Sequence, residues 1–196
     1  MTFRNVSVPL DLVSLARRAV DGVRLRTFIC LLATVPAHAL AEPQPAVQAL
    51  MHYTDPLAVC FENAESSDMA EGCVGQTSTL CMDTEEGGYS TVGMMFCTLA
   101  EYHAWDAQLN ATYQSTMAGL RAEDRQDADL FPEFANRAEA LRTAQRAWIA
   151  FRDGECALAY AMWGSGSMRQ IAGASCLLDM TATRTIELRF LGAEMR

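Results

Sequence analysis

The stretch Leu141 to Cys156, LRTAQRAWIAFRDGEC, constrains the fold of this chain more than any other. Leu141, Gln145, Trp148, Arg152 and Cys156 recur at steps of four, three, four and four, which sets them along one face of a helix. The face that carries the Trp and the Leu is the one to bury. It also carries an amide and a guanidinium, and a buried guanidinium is costly unless a carboxylate meets it. The stretch therefore predicts a helix, a partner acid on another buried face, and a disulfide at the helix end.

The acid is sought on the helix expected from Thr91, as cap, to Arg121. Its apolar stripe reads Val92, Met95, Leu99, Tyr102, Asp106, Leu109, Tyr113, Met117 and Leu120, with Asp106 the odd member and Asn110 beside it. Asp106 is expected to meet Arg152 in bidentate geometry, with Arg184 as a candidate second partner. Asn110 and Gln145 would satisfy the remaining groups. One acid with two arginines leaves no free base or nucleophile, so the cluster reads as a structural polar network that fixes helix register and not as a catalytic site. Loss of Asp106 from a buried pair of this kind would cost roughly 3–5 kcal/mol.

The other elements follow in order. Asp55-Pro56 reads as a cap and helix start, with a short helix over 57–64. Ser66 to Gly72 reads as a polar turn, 73–83 as a second short helix, and 84–90, with Gly87-Gly88, as a loop. Residues 122–130, with four acids, read as a solvated connector. Pro132 is expected to open the second long helix, running to about Met162. Trp163 to Ser167 is a tight turn, and Ser167 a candidate cap for a third long helix to about Leu191. That helix carries the stripe Ile171, Ala174, Leu178, Thr181, Thr185 and Leu188. No alternation supports strands. The class is all-α: a small disulfide-linked bundle of three long helices with short helices in front.

Arg24 and Arg26, the apolar run Phe28 to Val35 and the small-residue patterns ending at Ala39 and Ala41 give residues 1–41 the layout of a secretory signal. Residues 42–90 form a front region of short helices, and 91–196 the main helical domain. Removal of the signal leaves no apolar run long enough to span a bilayer, and a periplasmic or secreted address. It also leaves six cysteines, Cys60, Cys73, Cys81, Cys97, Cys156 and Cys176, an even number suited to three disulfides. Cys156 with Cys176 would clamp the second and third long helices around their turn. Cys81 with Cys97 would bracket the Gly87-Gly88 loop, leaving Cys60 with Cys73. Cys73 with Cys81 is the competing pair.

Beyond the signal, 22 carboxylates face 10 arginines and no lysine, a net charge of −12. Nucleic acid and anionic lipid are poor partners for such a chain, and a basic protein is the electrostatic counterpart. His52 and His103 stand alone, and the eleven methionines are scattered in the manner of core filling, so no metal or other cofactor is expected. No phosphate loop, nucleophile elbow or zinc-protease motif occurs, and the chain reads as a non-enzyme. Ser165, Ser167 and Arg169 form a candidate partner-binding loop, since such a turn could enter a carboxylate-lined cleft and donate hydrogen bonds there. The plainer alternative is an ordinary helix–helix turn.

Residues 81–192 resemble the N-terminal domain family of the LprI-type lysozyme inhibitors. The residues that carry the likeness are Cys97, Glu101, Trp105-Asp106, Leu109-Asn110 and Tyr113, then Leu141-Arg142, Ala144-Gln145, Trp148, Arg152-Asp153 and Cys156, then Gly164 to Ser167, Cys176, Thr181, Arg184 and Leu188. Cys60 and Cys73 precede the shared part, and the turn is Gly-Ser-Gly-Ser in place of a Gly-Gly-Ser type. The resemblance implies an exported helical binding protein that inhibits lysozyme, whose partner would be a basic muramidase. The alternative is an envelope structural or assembly protein acting through residues 42–90.

Overall fold

The structure is a computed structural model that describes residues 42–191; the targeting segment expected over 1–41 lies outside them. The described residues form helices α1 (Pro45–Gln48), α2 (Asp55–Asn63), α3 (Ser67–Glu71), α4 (Gln76–Thr84), α5 (Thr91–Asp127), α6 (Arg137–Ala161) and α7 (Met168–Arg189), with 3-10 turns at Met51–Thr54 and Pro132–Phe134. Among the described residues there is no strand, and no helix is long and apolar enough to cross a membrane. The protein is an all-α bundle. α5 and α7 pack together along the centre, α6 lies against both, and the short helices close the front.

α5 has 37 residues, so it is about 55 Å long at the usual helical rise. Ser90, not Thr91, caps it, its hydroxyl accepting from Gly93 N at 3.0 Å. Its first turn also lies directly under the loop before it. A Cβ on Gly93 would collide with the Gly87 and Gly88 backbones, so only glycine admits that approach. α5 runs six residues past its expected end, and the acidic stretch is helical to Asp127. Charge alone does not stop a helix: Arg, Ala, Glu and Gln are good helix formers. Arg137 gathers Glu123, Asp124 and Asp127 at 3.7, 3.3 and 2.7 Å.

The buried face of α5 differs from the expected stripe over its first half. The buried residues are Cys97, Thr98, Ala100, Glu101, Trp105, Leu109 and Met117, while Val92 is 50% exposed. The run Cys97, Glu101, Trp105, Leu109, at steps of four, is the buried one, and the Cys81–Cys97 bridge turns its start toward α4. Tyr102 and Asp106 fall on its margin. The two faces converge at Leu109 and Met117.

Five other boundaries move. Ser66 caps a helical turn, α3, within the expected polar turn, accepting from Met69 N at 3.3 Å. Cys73 lies in the turn before α4 and not on it. Asp55 is the first residue of α2, with Thr54 in the cap position. α6 begins only at Arg137: Pro132 opens a separate 3-10 turn, and the chain must turn again before the helix can start. α7 ends at Arg189, two residues short of the expected end.

The core has two parts. In front, Leu57, Phe61, Ala64, Ala70 and Cys73 pack on Trp105 of α5 and on Leu178, Ala182 and Ile186 of α7. Trp105 is fully buried, and Phe61 meets it edge-on at 5.2 Å, a geometry that adds about 0.5–1.5 kcal/mol to the area buried. Behind it, Leu109, Met117, Ala138, Leu141 and Leu188 close the three long helices. The front helices thus share one core with the long ones. Cys60–Cys73, Cys81–Cys97 and Cys156–Cys176 are the bonded pairs, at Cα separations of 6.0, 5.7 and 5.3 Å.

Candidate functional site

α6 buries the face read from its spacing. Leu141, Gln145 and Cys156 are buried, and the Arg152 side chain is 11% exposed. The polar residues divide into two groups along the α6–α7 contact. In the first, Arg152 Nη1 approaches Asp106 Oδ1 at 3.7 Å and donates to Thr181 Oγ1 at 3.4 Å. Asn110 Nδ2 donates to the Asp106 carboxylate at 3.3 Å and to its carbonyl at 2.8 Å. In the second, Arg184 Nε donates to Gln145 Oε1 at 3.0 Å, and Arg184 Nη1 pairs with Glu187 at 3.0 Å.

Arg184 therefore does not share Asp106. Gln145 lies two turns back along α6 from Arg152, and the register of α7 places Arg184 beside that amide. The bidentate pairing with Asp106 is also absent. Arg152 Nε and Nη2 both donate to Asp153 Oδ1, at 3.0 and 2.8 Å, and the guanidinium stacks between Trp148 and Tyr102 at 5.2 and 5.9 Å. Asp106 keeps a quarter of its side-chain surface in solvent.

The deeply buried acid is Glu101, which has no exposed surface. Its carboxylate accepts from Gly75 N and Ser78 N at 2.6 Å each and from Trp105 Nε1 at 3.2 Å. Those two amides open α4, so Glu101 caps that helix from α5 and sets a negative charge at its positive end. Asp124 does the same for α6, accepting from Arg137 N and Ala138 N at 3.0 Å. These backbone bonds, with the Arg137 guanidinium, hold its carboxyl below the usual range. Both acids lay in plain view. What identifies Glu101 is its place at steps of four between Cys97 and Trp105; nothing in the sequence singles out Asp124.

Three partly desolvated groups on α5 and α7 also have shifted ionisation. Burial lowers His103, with Asp106 opposing, and burial raises Tyr102. Asp179 is raised by desolvation and by the charge of Glu101. Among the described residues no set of three His, Cys, Asp or Glu is placed to hold a metal ion.

The turn between α6 and α7 stands clear of the bundle, braced below by Cys156–Cys176. Gly164 takes φ +53°, the left-handed conformation that glycine accepts readily. Ser165 and Ser167 are exposed, and the Ser167 hydroxyl makes no cap bond to α7, contrary to expectation, because its backbone is already helical. Arg169 folds back: Nη1 donates to Gly164 O at 3.2 Å and the guanidinium stacks on Tyr160 at 5.4 Å. Met162 and Trp163, 77% and 51% exposed, rim the same tip. The turn was legible in the sequence, but the exposure of Trp163 on it was not.

The model of the family described as lysozyme inhibitor LprI matches residues 81–188, more than half of the chain. The chain belongs to the LprI lysozyme inhibitor family. It is also 40% identical over 102 residues to an uncharacterized protein of Rhizobium meliloti (strain 1021), a match covering 52% of this chain and 73% of that protein. No solved structure matches the chain. The LprI match takes in Glu101, Asp106, Arg152 and the α6–α7 turn, while the Gly75 and Ser78 amides that Glu101 caps lie before it.

Proposed function

We propose that this protein is an exported, non-enzymatic inhibitor of a lysozyme-type muramidase, and that the α6–α7 turn is the part that enters the enzyme's cleft. The observation that carries the reading is the turn itself. Two exposed serine hydroxyls and a partly free guanidinium stand on a disulfide-braced tip, rimmed by Met162 and Trp163, in a chain of the LprI family.

The chemistry suits the target. Glycoside hydrolysis of this kind uses two carboxyl groups at the cleft. Ser165 and Ser167 can donate to them, and Arg169 retains Nε and Nη2 after bracing Gly164. Trp163 and Met162 supply the apolar contact that polar groups alone do not give. A net charge of −12 beyond the signal steers the domain toward a basic enzyme. Three disulfides suit an oxidising compartment, outside the cytoplasm.

The test is cell-wall hydrolysis by lysozyme, titrated with the oxidised protein at low and physiological salt. Inhibition that saturates near one-to-one and weakens as salt rises supports the reading. Absence of inhibition for every lysozyme class, from a sample shown to be folded, overturns it and favours an envelope partner bound through residues 42–90.

A further inference from the structure

The far end of the α6–α7 hairpin has no core of its own. Beyond Cys156, α6 runs on to Ala161, about 8 Å at the usual rise, and α7 begins at Met168, about 12 Å before Cys176. From Ala157 to Gly173 no residue is buried. Apolar burial, which fixes the rest of the bundle, therefore does not fix the turn. The Cys156–Cys176 bridge ties only its base.

What reaches the turn is one stack of groups. Gly173 presents bare backbone to α6, and the Tyr160 ring lies on it: a Cβ at Gly173 would sit 3.4 Å from Tyr160 Cδ2 and 3.5 Å from its Cβ. The ring carries the Arg169 guanidinium, 5.4 Å from its centroid. Arg169 Nη1 in turn donates to Gly164 O at 3.2 Å, at the residue that takes φ +53°. Ring, guanidinium and carbonyl thus run from the α7 backbone to the turn.

We propose that Tyr160 is the positioning residue of this turn, with Gly173 as its seat. The ring holds Arg169, and through it the Gly164 carbonyl, so that Trp163, Ser165 and Ser167 are set in one arrangement before a target arrives. This rests on the reading that the turn enters the muramidase cleft. A turn ordered in advance loses less freedom on binding, and affinity rises without an added contact. Without the ring, one exposed bond to Gly164 must hold a long side chain against its rotamer entropy, and it does not suffice. The stack uses the face of the ring and not its hydroxyl, so phenylalanine can replace it.

Backbone amide NMR relaxation of the oxidised protein and its variants tests the stack, and lysozyme inhibition by the same samples tests its use. In wild type the amides of Trp163 to Ser167 should have order parameters near the rigid value of about 0.85. Tyr160→Ala should lower them toward about 0.6, with the rest of the bundle unchanged, and should weaken inhibition about tenfold. Tyr160→Phe should match wild type in both. Gly173→Leu should reproduce the Tyr160→Ala losses with the tyrosine intact, because its side chain displaces the ring. Gly173→Ala, whose Cβ the ring just admits, should not. Order parameters unchanged in Tyr160→Ala overturn the proposal. So does a loosened turn that inhibits as well as wild type, or a Tyr160→Phe protein as weak as Tyr160→Ala. If the wild type inhibits no lysozyme, the reading of the turn fails, and the order parameters alone decide whether Tyr160 positions it.

Discussion

Glu101 and Ser78 lie 23 positions apart in the chain and 2.6 Å apart in space, carboxylate oxygen to amide nitrogen. With Gly75 N and Trp105 Nε1 on the same carboxylate, this bond ties the front helices to α5. Hydrogen bonds to a charged group contribute about 1.5–3 kcal/mol each, and a buried donor left without its acceptor costs a similar amount. Glu101→Ala should therefore destabilise the fold by more than about 3 kcal/mol. Glu101→Gln should also be costly, because its amide group would turn a donor toward a backbone donor. Chemical denaturation of both variants checks this; near-wild-type midpoints would show that the carboxylate does not hold α4.

Asp106 offers the contrast. Its contact with Arg152 is a single approach at 3.7 Å, and a quarter of its side chain is solvated. Arg152 keeps Asp153, Thr181 and two aromatic faces when Asp106 is removed. Asp106→Ala should cost about 1 kcal/mol, in the range of exposed pairs and well below a broken buried one. Arg152→Ala should cost more, through lost packing as well as charge. Thermal melts of the two variants, ranked against Glu101→Ala, check the order.

Periodicity was enough for α6 and α7, where Leu141, Gln145 and Cys156, and Ala174, Leu178 and Thr185, are buried at their expected spacing. It misled on α5, because this helix changes neighbours along its length. Cys97 and Glu101 meet α4, while Trp105 packs on α7 and Leu109 and Met117 on both α6 and α7, so one continuous stripe cannot describe it. Tyr102 and Asp106 look like core positions in that stripe, while a glutamate among cysteine and tryptophan does not. Caps supplied from another helix, by Glu101 and Asp124, leave no local sequence pattern at the helix they start. The turn at Ser165 was legible as exposed, but the fold-back of Arg169 depends on a Tyr160 ring one turn below.

Arg189 closes the other end of the front region. Its guanidinium donates to the carbonyls of Phe61, Glu62 and Ala64, at 3.0 and 2.9 Å for the last two, and lies over the Phe61 ring at 4.6 Å. These are carbonyls at the C-terminal end of α2, where a cation is favoured. Arg189→Ala should cost roughly 2–3 kcal/mol. Arg189→Lys should recover only part of this, since an ammonium cannot span three carbonyls with a planar fork. Hydrogen exchange should show the loss concentrated in α2 and α3; protection lost evenly through the bundle would argue against a local clamp.

Asp179 gives stability a pH dependence of definite sign. Desolvation, then the charge of Glu101, raises its folded-state pKa. A carboxyl raised on folding binds its proton more readily in the folded state. Its favourable contribution is complete below the unfolded value of about 3.9 and is lost as pH rises through the folded value. At neutral pH the ionised Asp179 therefore opposes folding. Asp179→Asn should raise the melting temperature at pH 7, and the gain should shrink steadily as pH falls toward that unfolded value. Asp124 acts in the opposite sense: its folded pKa is lowered, so its support for α6 is present above the unfolded value and fails as pH falls through the folded one. Asp124→Asn should destabilise at pH 7 and approach wild type in acid. Melting curves of the two variants from neutral to acid pH should thus converge on wild type from opposite sides. A constant offset for Asp179→Asn across that range would show that its charge is not what the fold resists.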